Sequence, residues 1–201
     1  MFRFYLTIII LFFSAGAGPA DSAAVSAQQE TAVFAGGCFW CMEPPFEKID
    51  GVIRVLSGYT GGKGEDPTYK DYGRKGHMEA VEILYDPSRV TYTQLLDVFW
   101  RQVNPTDSGG QFCDRGPEYR PAIFYLNKDQ ELLARQSRDQ FEKSRKFGRT
   151  ITLELIPASK FYPAEEYHQD YYKKNPLRYK YYRFRCGRDQ YLERIWRKKN
   201  Q

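Results

Sequence analysis

The residues best suited to chemistry are two cysteines, Cys38 and Cys41, which form a Cys-x-x-Cys pair directly after Gly36 and Gly37. The glycines end a strand-like run, and a helix is predicted to begin at Cys38. The unpaired N–H groups and the dipole at a helix N-terminus stabilise a thiolate, which lowers the pKa of a thiol placed there. We therefore interpret Cys38 as a nucleophile, with a structural disulfide or a metal ligand as the alternatives.

Zinc is the metal to consider, because His77 and Glu79 together with a Cys-x-x-Cys pair are similar to the zinc deaminase signature, His-x-Glu followed by Pro-Cys-x-x-Cys. In this sequence the cysteine pair lies upstream of His77 and follows Gly37 instead of proline. No second Cys-x-x-Cys pair is present to complete a tetrahedral site. The sequence therefore predicts no metal.

Glu79 is the candidate proton donor. In the predicted strand from His77 to Tyr85 it shares a face with Val81 and Ile83. A carboxyl group on an apolar face is pushed towards its protonated form and can donate a proton near neutral pH. An acid beside a thiolate suits the reduction of a polar S=O or O–O bond, whose oxygen leaves as water or hydroxide. The alternative places Glu79 at a solvated strand end.

One domain must position these residues. The chain has 201 residues, 42% of them hydrophobic and 27% charged, which excludes a disordered chain, a collagen-like fibre and a polytopic membrane protein. Short strand-like and helical runs alternate without a repeat or a second linker, which predicts an α+β fold over residues 30–201. We expect a two-layer sandwich with a mixed central sheet, flanking helices and a long irregular C-terminal segment. The predicted strands are 31–35, 52–59, 77–85, 122–126 and 151–156, and the predicted helices are 38–49, 92–103 and 128–147.

The first twenty residues resemble a secretory signal. Arg3 precedes an apolar run from Phe4 to Phe13, and small residues follow as far as Ala20. The run has about half the length that a bilayer span requires, so no stable membrane span is predicted. A polar link, residues 21–29, leads to the domain. We expect an exported, periplasmic protein whose signal cleavage site the sequence leaves open.

The C-terminal segment is basic and rich in tyrosine. The net charge of the whole chain is +5, and eleven lysines and arginines lie between Lys173 and Lys199, against Asp189 and Glu193. Such a segment could bind nucleic acid through phosphate contacts and stacked aromatic rings. The alternative is a solvated face whose tyrosines pack inward, and we favour this interpretation, especially for an exported protein. We predict no nucleic-acid partner.

Five strings in order resemble the A-type peptide methionine sulfoxide reductases, and the match spans about residues 30 to 190. The resemblance implies a two-layer α+β fold, reduction of the S epimer of methionine sulfoxide, free or in proteins, and no metal or organic cofactor. A dithiol or a thioredoxin-like protein would supply the electrons. The strings are Gly36-Gly37-Cys38-Phe39-Trp40-Cys41, Gly58-Tyr59-Thr60-Gly61-Gly62, Pro67-Thr68-Tyr69, Gly76-His77-Met78-Glu79-Ala80-Val81 and Tyr167-His168-Gln169-Asp170-Tyr171.

The resemblance also assigns roles to residues. Cys38 would attack the sulfoxide sulfur, and Glu79 would donate the proton. Phe39 and Trp40 would form the apolar wall that receives the substrate's methyl group. The remaining assignments are Tyr69 and Tyr119, which would hydrogen-bond the sulfoxide oxygen and bind the substrate, and Asp114, which would help to order the site.

The implied reaction leaves Cys38 as a sulfenic acid, with which a second thiol must condense. Family members commonly carry this resolving cysteine in the C-terminal segment, where Cys186 stands beside Gly187. Cys41 is the alternative resolving residue. Cys113 has no assigned role and is either a relay or an accidental thiol.

The leading hypothesis is therefore a monomeric exported enzyme that repairs oxidised methionines, both in proteins and as free methionine sulfoxide. A second hypothesis is a thiol–disulfide exchange protein that uses Cys38 and Cys41 on client disulfides. The two hypotheses differ in their dependence on Cys41, which an exchange protein needs and a reductase supplied with a small thiol does not.

Overall fold

The computed structural model of the protein describes Met1 and residues 28–197. The strands are β1 Glu30–Gly36, β2 Val52–Thr60, β3 Met78–Tyr85, β4 Gly110–Gln111, β5 Asp114–Arg115, β6 Pro121–Tyr125, β7 Glu154–Pro157 and β8 Tyr162–Pro163. The helices are α1 Phe39–Glu47, α2 Tyr92–Trp100, α3 Lys128–Ser144, α4 Tyr171–Lys174, α5 Pro176–Arg185 and α6 Arg188–Trp196.

Six of the strands form one sheet in the order β7-β6-β1-β3-β2-β8. Among its described strand pairs, β6–β7 is parallel and the others are antiparallel. β4 and β5 form a separate two-stranded ribbon. The predicted mixed sheet and α+β class are confirmed.

The two faces of the sheet are covered differently. Alternating residues of β1 and β3, such as Phe34, Val81 and Ile83, pack in the large core with α1 and α2. The intervening residues, such as Val33 and Ala80, belong to a smaller cluster on the opposite face. Because side chains alternate across a strand, this arrangement follows from the sequence pattern. Glu79 lies on the large-core face, as its position in β3 predicts.

Helix α1 begins beside the sheet because the two glycines before it permit a sharp turn. Gly37 has φ +79°, and a Cβ atom there would lie 2.5 Å from the Cβ of Gln111. Pro45 stands inside the helix and has no N–H to donate to the carbonyl of Cys41. The guanidinium of Arg183 donates to that carbonyl instead, at 3.3 Å.

The C-terminal segment differs from the prediction, because residues 171–196 form three short helices instead of a long irregular stretch. Arg188 explains how they are held against the domain. Its side chain is buried and donates to the carbonyls of Gly36 and Gln102 at 2.9 and 2.8 Å. Buried donors of this kind are rarely left unpaired, so Arg188 anchors α6 to the turn before α1.

The predicted signal and most of the polar link lie outside the described residues. Within residues 28–197, no helix is long and apolar enough to cross a membrane.

Candidate active site

The nucleophile predicted from the sequence lies at the start of α1. Cys38 is the N-cap residue, and its carbonyl accepts a hydrogen bond from the N–H of Cys41 at 3.0 Å. Both cysteines are free thiols and both are buried. The short turn therefore holds two thiols side by side at the end of the helix that faces the sheet.

The more acidic of these two thiols is Cys41, which corrects the expectation for Cys38. Burial, followed by the neighbouring Cys41 thiol, raises the pKa of Cys38 well above its usual value. A hydrogen bond with Cys38 lowers the pKa of Cys41 to about 7, assisted by the positive charges of Arg188 and Arg183. Burial at Cys38, and the hydrogen bond together with the arginines at Cys41, shift the two pKa values in opposite directions.

Glu79 is held from two sides directly beside Cys38. Its Oε2 accepts a hydrogen bond from the Phe39 N–H at 2.9 Å, and its Oε1 accepts one from the Tyr72 hydroxyl at 2.9 Å. Burial raises the pKa of Glu79 to about 8, although both hydrogen bonds oppose the shift. The carboxyl is therefore largely protonated at neutral pH and can donate a proton.

Three tyrosines surround the carboxyl. The Tyr72 hydroxyl contacts the Tyr119 hydroxyl at 3.1 Å, which links Tyr119 to Glu79. The ring of Tyr69 stacks on that of Tyr72 at 6.1 Å between centroids, and the Tyr69 N–H is fixed by the Glu165 carboxylate at 2.9 Å. Burial raises the pKa of Tyr69 and of Tyr119, so both remain hydroxyl donors at neutral pH.

Aromatic rings form the wall opposite these donors. Trp40 stacks face to face on Tyr171 at 3.7 Å, and its indole N–H donates to Nδ1 of His168 at 3.1 Å. The ring of Phe39 packs on His168 at 5.0 Å between centroids. This packing fixes the orientation of both predicted wall residues, as a binding site for a small apolar group requires.

Asp114 closes the site from the ribbon. Its Oδ2 accepts a hydrogen bond from the hydroxyl of Tyr182, in α5, at 2.5 Å. Burial raises the pKa of Asp114, and the Tyr182 hydrogen bond and Arg188 oppose that shift. The Tyr182 ring in turn meets Trp40 edge to face at 5.9 Å.

Eight of these residues line one cavity of about 90 Å³. A larger groove of about 530 Å³ lies between β2 and the start of α4, but no cysteine lines it. The small cavity unites every predicted catalytic and substrate-binding residue except the two resolving candidates. Its lining residues are Cys38, Phe39, Trp40, Tyr69, Glu79, Asp114, Tyr119 and Tyr182.

Cys186 does not line the cavity, and in this structure it is bonded to Cys113. Cys41 lies beside Cys38 instead. The predicted approach of Cys186 to Cys38 is therefore absent from this state. The chain around Cys186 is also regular instead of irregular as expected, because Cys186 caps α5 and the following α6 is anchored by Arg188.

Tyr72, Tyr182 and His168 are the site residues that the sequence did not single out individually. Tyr72 lies three residues after Tyr69 in the same turn region, and His168 belongs to one of the five strings, so both carried a local signal. Tyr182 carried none, because it is one of sixteen tyrosines and reaches Asp114 across 68 residues of chain.

The zinc alternative is not supported by the placement of its histidine. The ring of His77 contacts the Gly64 carbonyl at 2.6 Å and the Gly62 N–H at 3.2 Å, away from the cysteine pair. Glu47 and Asp170 form an acidic cluster elsewhere in the molecule. The ammonium of Lys173 contacts their carboxylates at 2.9 and 2.6 Å and so already balances their charge.

Comparison with known proteins agrees with this geometry. The family profile described as peptide methionine sulfoxide reductase matches residues 30–200. The chain belongs to this family. As an A-type member it is an oxidoreductase whose reaction is the reduction of methionine sulfoxide.

Relatives resemble the chain over most of its length. It is 50% identical to the peptide methionine sulfoxide reductase MsrA of Bacillus licheniformis, over 86% of this chain and 97% of the relative. It is 51% identical to MsrA of Streptococcus agalactiae, over 83% of this chain and 99% of the relative. It also matches MsrA/MsrB of Vibrio cholerae at 46% identity over 98% of its own length, and there it spans about half, 52%, of the longer protein.

Two solved structures share the fold. Mxr1 from Saccharomyces cerevisiae in its reduced form superimposes with a TM-score of 0.70 at 30% identity, over 75% of this chain and 88% of the other. Methionine sulfoxide reductase A of Corynebacterium diphtheriae gives 0.67 at 35% identity, over 74% and 76%.

Proposed function

We propose that this protein reduces the S epimer of methionine sulfoxide, free and in proteins, by way of a Cys38 sulfenic acid and an intramolecular disulfide. The observation that carries the proposal is the small cavity in which the Cys38 thiol, the protonated Glu79 and the Phe39–Trp40 wall meet. A cavity of this size suits a methyl sulfoxide group, with its methyl against the rings and its oxygen towards the donors.

In the first step the Cys38 sulfur attacks the sulfoxide sulfur. The Cys38 proton passes to the neighbouring Cys41, whose pKa of about 7 makes it the local base. Glu79, with the hydroxyls of Tyr69 and Tyr119, stabilises and protonates the sulfoxide oxygen. The attack forms a bond between the Cys38 sulfur and the substrate sulfur. The protonated oxygen then leaves the substrate sulfur and bonds to the Cys38 sulfur as the bond between the two sulfurs breaks, which gives the Cys38 sulfenic acid and free methionine. The substrate sulfur gains the two electrons that the cysteine sulfur loses.

In the second step Cys41 condenses with the sulfenic acid. Its sulfur attacks the Cys38 sulfur, an S–S bond forms, and the oxygen leaves as water. We assign this step to Cys41 because it is a free thiol beside Cys38, whereas Cys186 is bonded to Cys113. An external dithiol then reduces the Cys38–Cys41 bond, so thiols alone balance the cycle and no metal or organic cofactor enters it.

The reductant and the location belong to the same proposal. The N-terminal apolar run supports export to the periplasm, where the enzyme would repair oxidised exported proteins. A thioredoxin-like protein in that compartment would then supply the dithiol. Cell fractionation and N-terminal sequencing of the mature protein test the location, and an uncleaved cytoplasmic protein would contradict it.

Methionine release from the separate S and R epimers tests the reaction. With dithiothreitol as reductant, we expect the S epimer to be converted and the R epimer to be left unchanged. Cys38→Ser serves as the inactive control. Conversion of the R epimer, or of neither, by folded protein with reduced thiols would refute the proposal.

The thiol–disulfide exchange alternative differs from the proposed reaction in its need for Cys41. Cys41→Ser separates the two functions. It would abolish disulfide exchange, whereas a small thiol can reduce the Cys38 sulfenic acid directly and sustain sulfoxide reduction, at a lower rate because the base for the first step is lost.

A further inference from the structure

The second cysteine pair joins two segments that are distant in sequence. Cys113 lies in the turn between β4 and β5, and Cys186 caps the C-terminal end of α5. The two residues are 73 positions apart, and their Cα atoms are 4.8 Å apart. The disulfide therefore ties the C-terminal helices to the ribbon that borders the cavity.

Each half of the disulfide stands next to a residue that lines the cavity. Asp114 directly follows Cys113, and Tyr182 lies one helical turn before Cys186, whose N–H donates to the Tyr182 carbonyl at 2.9 Å. The Tyr182 hydroxyl donates to Asp114 at 2.5 Å. A covalent bond and a hydrogen bond thus join the same two segments, side by side.

This double link sets the distance across the mouth of the site. Tyr182 stands edge to face with Trp40 on one side and binds Asp114 on the other. Because the cavity holds only about 90 Å³, a small displacement of α5 would change its fit to a sulfoxide group.

The catalytic cycle proposed above needs no second disulfide. One sulfoxide takes two electrons, and the conversion of two thiols, Cys38 and Cys41, into one disulfide supplies both. Those thiols are buried and free, while Cys113 is exposed and already oxidised. Exchange between the two pairs would require one buried sulfur to reach the other pair.

We infer, on the basis of that proposed function, that the Cys113–Cys186 disulfide is a permanent positioning clamp. It holds Asp114 and Tyr182 over Cys38 and takes no part in electron transfer. Cys113, Cys186 and Tyr182 are then positioning residues rather than members of a thiol relay.

Counting methionine released per chain tests the inference. Fully reduced wild-type protein, freed of reductant under anaerobic conditions, is given excess S-epimer methionine sulfoxide. An isolated Cys38–Cys41 pair yields one methionine per chain, whereas a relay that passes its disulfide on to Cys113 and Cys186 yields two. The Cys113→Ser/Cys186→Ser double variant is the matched control, since it yields one in either case.

Each count has a defined meaning. One methionine from the wild type supports the clamp, and two would overturn it. No methionine from either protein would refute the proposed function, and the inference would fall with it. Differential alkylation and peptide mass measurement identify which cysteines are bonded after the burst.

A mutant cycle tests positioning through Tyr182. The rate of the methionine burst is measured without reductant, on wild-type and variant proteins that each have two free thiols per chain. Relative to the wild type, we expect the double serine variant to need roughly three- to tenfold more substrate for its half-maximal rate. Its rate at saturating substrate should stay within about twofold of the wild type. Tyr182→Phe should raise the substrate concentration for half-maximal rate by a similar factor and leave the saturating rate similar. Adding Tyr182→Phe to the double serine variant should change neither quantity further.

The control for this cycle is Tyr181→Phe, the neighbouring residue on the same helix, whose side chain is 68% exposed. It should leave both burst parameters unchanged. Fully additive effects of Tyr182→Phe and the double serine variant would overturn the claim that the disulfide acts through Tyr182.

Discussion

The two cysteine pairs of this protein form contrasting regions. Cys38 and Cys41 are three residues apart on one helical turn, buried, and present as thiols. Cys113 and Cys186 are 73 residues apart, join two separate segments, and are bonded. A cross-link constrains the unfolded chain more strongly when it closes a longer loop. The first pair can therefore change oxidation state with little effect on folding, whereas the second mainly stabilises the fold.

The environments of the two pairs sharpen this contrast. Around the first pair, Glu79 and the arginines that flank Cys41 adjust the pKa values of reacting groups. Around the second pair, Asp114 and Tyr182 form a short hydrogen bond that adds to the covalent link. Reactivity in this molecule thus depends on burial and charge around a thiol, and not on the presence of a cysteine as such.

The largest effect should come from the nucleophile. Cys38→Ser should lower methionine release by several orders of magnitude, because a hydroxyl does not replace a thiol in attack on the sulfoxide sulfur. Methionine quantified by chromatography measures the loss. In Cys41→Ser a single burst should persist at a lower rate, because the base for the first step is lost. A Cys38→Ser protein with wild-type turnover would show that the assignment of this pair is wrong.

The next effect should come from Glu79. Glu79→Gln should lower kcat/KM by about a hundredfold, since a general acid typically contributes that much or more. In the wild type, activity should rise with pH through about 7 as Cys41 ionises and fall through about 8 as Glu79 loses its proton. The upper limb should be missing in Glu79→Gln.

The matched control for that variant is Glu82→Gln, on the same strand but on its opposite face. We expect its pH profile to equal that of the wild type. If Glu79→Gln retained the descending limb, the proton donor would have to be another group.

A smaller effect is expected at Arg188. Arg188→Met keeps the side-chain bulk but removes a positive charge that lowers the pKa of Cys41. The ascending limb of the pH profile should therefore move to higher pH. The exposed Arg185→Met is the control. An unmoved limb would mean that the hydrogen bond with Cys38 alone sets the pKa of Cys41.

The smallest effect on turnover, but a clear effect on stability, is expected for the second pair. The Cys113→Ser/Cys186→Ser variant should lose about 4 kcal/mol of unfolding free energy in the chain-entropy model of loop closure. A melting temperature lower by roughly 10 °C should report this loss. A variant with unchanged melting temperature would remove the distinction between the two pairs.

Much of the sheet could be predicted because its signals are local. The alternation along β3 placed Glu79, Val81 and Ile83 on one face, and the two glycines before Cys38 marked the start of α1. The three helices after α3 could not be predicted in this way. Residues 171–196 have few buried apolar side chains, and their helices depend on distant contacts such as Arg188 with the Gly36 carbonyl.

Site residues that belong to short sequence motifs could be predicted. Site residues whose place depends on contacts between segments distant in sequence could not. Cys38, Glu79, Tyr69, Tyr119 and Asp114 all line the cavity. Cysteine pairing was not accessible, because four cysteines permit three arrangements of two disulfides and sequence alone does not choose among them. The more acidic thiol was also not accessible, since it depends on burial and on arginines supplied by the C-terminal helices.

The two prolines of α1 have a mechanical consequence for the reacting pair. In a regular helix the N–H groups of residues 44 and 45 would donate to the carbonyls of Trp40 and Cys41, and proline has no such N–H. The turn that carries both thiols therefore has two fewer backbone hydrogen bonds to the rest of its helix than a regular helix would provide. The flexible side chain of Arg183 supplies one substitute contact and can follow a moving carbonyl. The proposed cycle forms and breaks a bond between the two sulfurs on every turnover. The turn can shift during this cycle without breaking a regular helical hydrogen bond at either carbonyl, so the sheet behind it need not move.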